Sequence, residues 1–167
     1  RAKTLVSDAI TSVTITGTNT ASLGKSDVNS MKKVFELDEV GDTYEGIYNS
    51  VTEYFTGNVV YDSTTTNAYR FISTESTIGI PVTDTTKWLS LDNSSGEYKF
   101  NTGQTQYEYN HGSINRESSL PTSIPVVVVF DYFTHAGNGH ISGNSYYMDY
   151  EHIPKFIPLD KTPVKLA

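Results

Sequence analysis

The run Ile124-Pro125-Val126-Val127-Val128-Val129-Phe130-Asp131-Tyr132-Phe133 decides the fold class. Four successive valines followed by Phe130 cannot alternate apolar with polar, so a strand here is buried on both faces or lies at the centre of a sandwich. Pro125 has no N–H to give to a ladder and belongs at the strand's entrance. The polar and glycine-bearing stretch Asp131 to Gly139 forms its exit. The run itself reads as core, without chemistry of its own.

Working outward, Val13-Thr14-Ile15-Thr16-Gly17 alternates β-branched residues and ends in a glycine, the pattern of a half-buried strand followed by a turn. Ser26 is placed as N-cap to one short helix from Asp27 to about Lys33, with acid in its first turn, Lys32 and Lys33 in its last, and Val28 and Met31 facing the core. Val34 to Leu37 returns to a strand pattern. On the other side of the chain's middle, Glu97 to Gln104 and Tyr107 to Ile114 form two alternating segments that suit a hairpin. After the central run, the prolines of Ile153-Pro154-Lys155-Phe156-Ile157-Pro158 predict an extended tail outside any ladder.

Between these parts, residues 42–92 shift in composition to Asp, Glu, Gly, Thr and Tyr and read as an inserted unit of short strands and turns. The expected organisation is therefore all-β: a β-sandwich-like domain from residues 1–41 plus 93–167, one short helix, and a small β module at 42–92. Turn signals recur too often, and helical periodicity too rarely, for an α/β alternative.

Composition narrows the function. A chain of 167 residues buries enough surface to fold without staples, and it has no cysteine, which removes disulfides and thiolate metal sites. A net charge of −7 opposes nucleic acid or an anionic membrane as partner. No run is long and apolar enough to span a bilayer, and Arg1 to Ser7 lacks the apolar stretch of a signal peptide. The opening without methionine and the ending at Lys161-Thr162-Pro163-Val164-Lys165-Leu166-Ala167 suggest a piece of a larger protein.

Candidate chemistry is sparse. His135, His140, Asp149, Glu151 and His152 are metal-capable types, but none shows helical ligand spacing, and glycines intervene; the bland alternative is a polar strand exit beside a solvated face. No serine sits in a Gly-x-Ser-x-Gly elbow, and Gly137-Asn138-Gly139 lacks the rest of a dinucleotide fingerprint. No catalytic residue, metal or cofactor is assigned. The aromatic residues Tyr54, Phe55, Tyr61, Tyr69 and Trp88 of the insertion remain, since flat rings stack on sugar faces. Rings are also what a small module with few aliphatics must use as core, and Trp88 is the ring expected to be most buried. Ring exposure discriminates the two roles.

Two resemblances follow from ordered motifs. Tyr54-Phe55-Thr56-Gly57-Asn58-Val59-Val60-Tyr61, Ala68-Tyr69-Arg70-Phe71-Ile72, Pro81 and Lys87-Trp88-Leu89-Ser90-Leu91 resemble the small chitin-binding-type modules of secreted polysaccharide hydrolases and related modules of phage tail proteins. Val13 to Gly17, Lys25 to Val28, Asn101-Thr102-Gly103-Gln104, His111-Gly112-Ser113-Ile114, Val128 to His135 and Asp149-Tyr150-Glu151-His152-Ile153-Pro154 together resemble a β-rich family of virion structural proteins in large tailed phages, tail-fibre or baseplate-associated. The second resemblance covers roughly residues 10–37 and 96–160. It departs from the family in carrying the module at 42–92 where a shorter loop is usual. It implies a non-enzymatic part of a phage tail, fibre or baseplate, located in the virion, with other virion proteins and further copies of itself as partners and the module projecting outward. Sheet edges and exposed tyrosines would supply the contacts. The alternative it leaves is a module that binds host-surface glycan through Tyr54, Tyr61, Tyr69 and Trp88.

Overall fold

In the computed structural model, the residues described are 3–16, 19–104, 110–117, 123–135, 155–156 and 164–165. The strands are β1 (Lys3–Ile15), β2 (Thr20–Ser26), β3 (Val28–Glu36), β4 (Thr43–Ile47), β5 (Asn58–Asp62), β6 (Asn67–Phe71), β7 (Trp88–Ser90), β8 (Tyr98–Asn101), β9 (His111–Arg116), β10 (Ile124–His135), β11 (Lys155–Phe156) and β12 (Val164–Lys165). One turn of 3-10 helix, Ser95–Glu97, precedes β8. The all-β, sandwich-like architecture expected from the sequence is what the chain adopts.

The valine run lies within β10, which is the middle strand of an antiparallel sheet ordered β1-β10-β3. Its side chains divide by parity, as a strand dictates. Val126, Val128 and Phe130 join Ile15, Val28 and Val34 against Ala21, Leu23, Tyr98 and Ile114 of a second sheet, β2-β9-β8. Val127 and Val129 face the other way and join Phe35 and Leu37 against Val59, Tyr61, Ala68 and Leu91. These belong to or follow the four-stranded sheet β4-β5-β6-β7, in which β4 runs parallel to β5 and the other neighbours are antiparallel. The central sheet is therefore the middle of three layers. The strands of residues 43–90 do not simply project from the body; one face of their sheet is packed on β10 and β3. The opposite face holds a third core of Tyr54, Val60, Phe71, Val82 and Trp88, closed by the loops on either side.

The expected helix at Asp27 to Lys33 is corrected: the segment is extended and forms most of β3. The reason is in the pairing. Lys33 lies opposite Val129 but Met31 opposite Phe130, and Ser30 lies opposite Asp131 but Val28 opposite Tyr132. Lys32 and Asn29 are thus extra residues, two bulges in one strand. Each bulge stretches the repeat of one face from two residues to three, so Val28, Met31 and Val34 all reach the same core. A spacing of three, with a serine before it, imitates a capped helix. Three bulge sites converge at one level, because Ser7 and Asp8 of β1 together oppose Asp131 of β10.

Other expectations shift at their edges. The strand expected at Val13 begins at Lys3, and the central strand continues through the expected exit to His135. The hairpin is present as β8 against β9, with Phe100 opposite Ile114. The tail expected to stay out of any ladder contains one: Lys155 pairs with Lys165 and Phe156 with Val164.

Candidate functional site

The rings proposed for sugar stacking fall mostly inside the protein. Trp88 and Tyr61 are each 2% exposed and Tyr54 4%, while Tyr69 is half-buried. Trp88 packs edge-on against Tyr48, Tyr54 and Phe71, with ring centroids 5.9, 5.2 and 4.9 Å away, and its indole N–H donates to the Ile80 carbonyl at 3.3 Å. Tyr61 sits in the core shared with β10, tilted against Phe35. This is the arrangement that opposes a stacking platform made of these four residues. Phe55, by contrast, is exposed. Of the metal-capable residues, His135 ends β10, and His140, Asp149, Glu151 and His152 lie outside the described residues.

Buried charge joins distant strands: Asp27, 2% exposed, pairs with Lys3 Nζ of β1 at 2.7 Å and accepts from Gln104 Nε2 at 2.6 Å, and three further clusters follow. At the convergent bulges, the Asp131 carboxylate accepts the Asp8 backbone N–H at 2.9 Å and the Ser30 hydroxyl at 3.2 Å, and pairs with Lys32 Nζ at 2.9 Å. Burial alone would raise the Asp131 pKa, but the Lys32 ammonium and the Asp8 N–H outweigh it and hold the carboxyl below its usual range. The Lys32 ammonium is correspondingly raised, by hydrogen bonds to Asp8 and then Asp131.

The second cluster ties the hairpin to β3. Glu36 Oε1 accepts the Tyr98 hydroxyl at 2.5 Å and Arg116 Nε at 3.0 Å, and Arg116 also reaches Glu97 at 3.1 Å. The Tyr98 phenol is pushed well up, by burial first and then by the Glu36 carboxylate it donates to. The third cluster ties β6 to the segment after β3. Arg70, 8% exposed, pairs through Nη2 with Asp42 at 2.5 Å and Asp38 at 2.9 Å, and its Nε also donates to Asp42.

These last two clusters flank a cleft of about 360 Å³ at the seam between the central sheet and the module's edge. It is lined by Glu36, Asp38, Arg70, Leu89 through Asp92 and Ser94. The segment after β7 is held there by hydrogen bonds from Leu91 N–H to the Ala68 carbonyl and from Ser94 N–H to the Val34 carbonyl. None of these residues stands out in the sequence, since Glu36, Arg70 and Asp92 come from three distant segments. The one available signal was Arg70 itself, a lone cation between Tyr69 and Phe71 in a strand pattern, which requires a buried carboxylate.

Comparison with protein-family models, with curated proteins and with solved structures finds no match for this chain.

Proposed function

We propose that the chain is a non-enzymatic structural component of a phage virion, in a tail, fibre or baseplate, that assembles with other virion proteins and with copies of itself. The ordered motif series that resembles tail-associated virion proteins motivates the reading. The observation that carries it in the structure is the distribution of exposed large apolar side chains. Of the eight among the described residues, six, Ile47, Val51, Phe55, Ile72, Ile78 and Leu89, lie within residues 42–92. Exposed apolar surface concentrated on one part of a rigid body is what contact surfaces in assemblies present to their neighbours. The buried charges fit the same role, because each cluster locks strands that are far apart in sequence into one body.

Chemical cross-linking of purified particles, read by mass spectrometry, tests the reading. Cross-links from Lys87 or Lys99 to other virion proteins or to a second copy are the expected result. A chain missing from purified particles overturns it.

A further inference from the structure

We propose that the outer edge of β1, from Ala9 to Ile15, pairs with the same segment of a second copy of this chain, antiparallel about a two-fold axis at Ser12. This pairing deepens the assembly reading, on which its biological setting rests, by naming the surface through which copies meet.

A sheet edge is an open row of N–H and C=O groups, and folded proteins blunt it with shortness, charge, bulges, proline or a covering segment. Among the described residues, every other outer strand carries such a device. Strand β3 has two bulges and Lys32 and Lys33; the Val34 N–H donates to Asn93 Oδ1 at 3.1 Å, and the Ser94 N–H donates to the Val34 carbonyl at 2.8 Å. Strand β2 loses its register between Ser22 and Ser26, with Gly24 in the left-handed region and Lys25 beside it. Strand β4 has five residues, with Glu45 and a register break before Gly46; β8 has four, with Lys99; β7 has three, and β11 and β12 have two each.

Strand β1 is the longest of the described strands, with thirteen residues, and it has β10 as its ladder partner on one side alone. Its first half is defended by Lys3, Asp8 and the bulge at Ser7 and Asp8. Ala9-Ile10-Thr11-Ser12-Val13-Thr14-Ile15 has no charge, proline or glycine, and five of these seven residues are β-branched, which favours strand pairing.

The occupant follows from that composition. Self-pairing about Ser12 sets Ala9 opposite Ile15, Ile10 opposite Thr14 and Thr11 opposite Val13, so no like charges meet and β-branched residues lie across from one another. Each face also meets its own kind. Ala9, Val13 and Ile15 belong to the core beneath the β2-β9-β8 sheet, whereas Ser12 and Thr14 are exposed on the other parity. The product is one six-stranded sheet, β3-β10-β1 continued by β1-β10-β3 of the second copy. Both of its ends are the covered β3, so pairing closes at two. Seven residues from each copy fall short of the roughly 20–30 a side of a standard interface, so the contact alone is weak and acts where assembly already concentrates the copies.

Sedimentation of the full chain up to about 1 mM tests the pairing, with Ser12→Lys and Ser12→Glu as variants. Ser12 is exposed and meets its own copy at the axis, so either new charge faces itself. The expected result is a monomer–dimer equilibrium weakened at least about fivefold by each variant and restored when the two variants are mixed. Hydrogen exchange of the amides from Ala9 to Ile15 should slow on dimerisation, since alternate ones lie outside the β10 ladder. Unchanged circular dichroism of each variant, together with recovery in the mixture, separates lost pairing from lost fold. A chain that stays monomeric, a dimer indifferent to both variants, or species larger than two overturns the pairing. So does full protection of these amides in the monomer, which would mean that the chain fills this edge itself. Those results leave the virion reading standing, whereas absence from particles removes that reading without touching a dimer measured in solution.

Discussion

Asp131 shows how a single residue can organise a region. It stands where β1 carries two residues against its one and where β3 bulges on either side, so the ladder leaves the Asp8 N–H without a strand partner, and the carboxylate takes it. Removing the carboxylate leaves that N–H and the Ser30 hydroxyl without their acceptor, and leaves the Lys32 ammonium with Asp8 alone. Asp131→Ala is therefore expected to destabilise the fold by about 1–3 kcal/mol in urea unfolding, and a change within error would contradict the role. The pH dependence has a definite sign. A carboxyl whose folded pKa lies below its ordinary value of 3.8 stabilises the fold above that pH and loses the contribution as pH falls through the folded pKa. The stability gap between wild type and Asp131→Asn should hold steady from neutral pH to about pH 5 and close below about pH 4. Arg70 gives a second case. Arg70→Met strands the Asp42 carboxylate, whose side chain is 3% exposed, and is expected to cost about 3–5 kcal/mol, whereas Arg70→Met with Asp42→Leu should recover most of it. A double variant as unstable as the single one would show that the pair contributes more than mutual neutralisation.

At the scale of the element, β10 contributes both of its faces to dry cores, which is why no polar residue interrupts Val126 to Phe130. Val127→Ala and Val128→Ala should each lower stability by about 2 kcal/mol, although they point in opposite directions. A value below about 0.5 kcal/mol for Val127 alone would mean that the module does not cover that face in solution. The loop into β5 sets a different constraint: Gly57 has φ +87°, and an added Cβ would lie 2.8 Å from the Gly41 carbonyl oxygen. Gly57→Ala is expected to destabilise by more than the roughly 1 kcal/mol of an ordinary Gly exchange, because both conformation and space oppose it. Legibility differs sharply among these elements. The run in β10 could be read directly, since burial on two faces leaves a continuous apolar signature. Strand β3 could not, because its two bulges lengthened the apolar spacing to that of a helix. Much of β1 was missed for a related reason, as Ser7 and Asp8 break the alternation between Val6 and Ala9.

At the scale of the molecule, the three layers share residues across their boundaries, so they should unfold together. Trp88 is the only tryptophan and lies in the module's interior, whereas circular dichroism reports all the sheets. Urea transitions followed by Trp88 emission and by circular dichroism are expected to coincide, and an earlier fluorescence transition would identify the module as an independently folding unit. The sequence by itself determined that the chain is all-β, that Val126 to Phe130 lies at its centre, and that Trp88 is a core residue. Those facts are recorded in apolar patterning along neighbouring positions, which burial imposes locally. Only the tertiary structure decided that the module's sheet forms the third layer, that the tyrosines near Trp88 fill an interior, and that Arg70, Glu36 and Asp92 border one cleft. Their proximity comes from strands that meet after long separations in the chain, and spacing along a sequence carries no trace of such meetings.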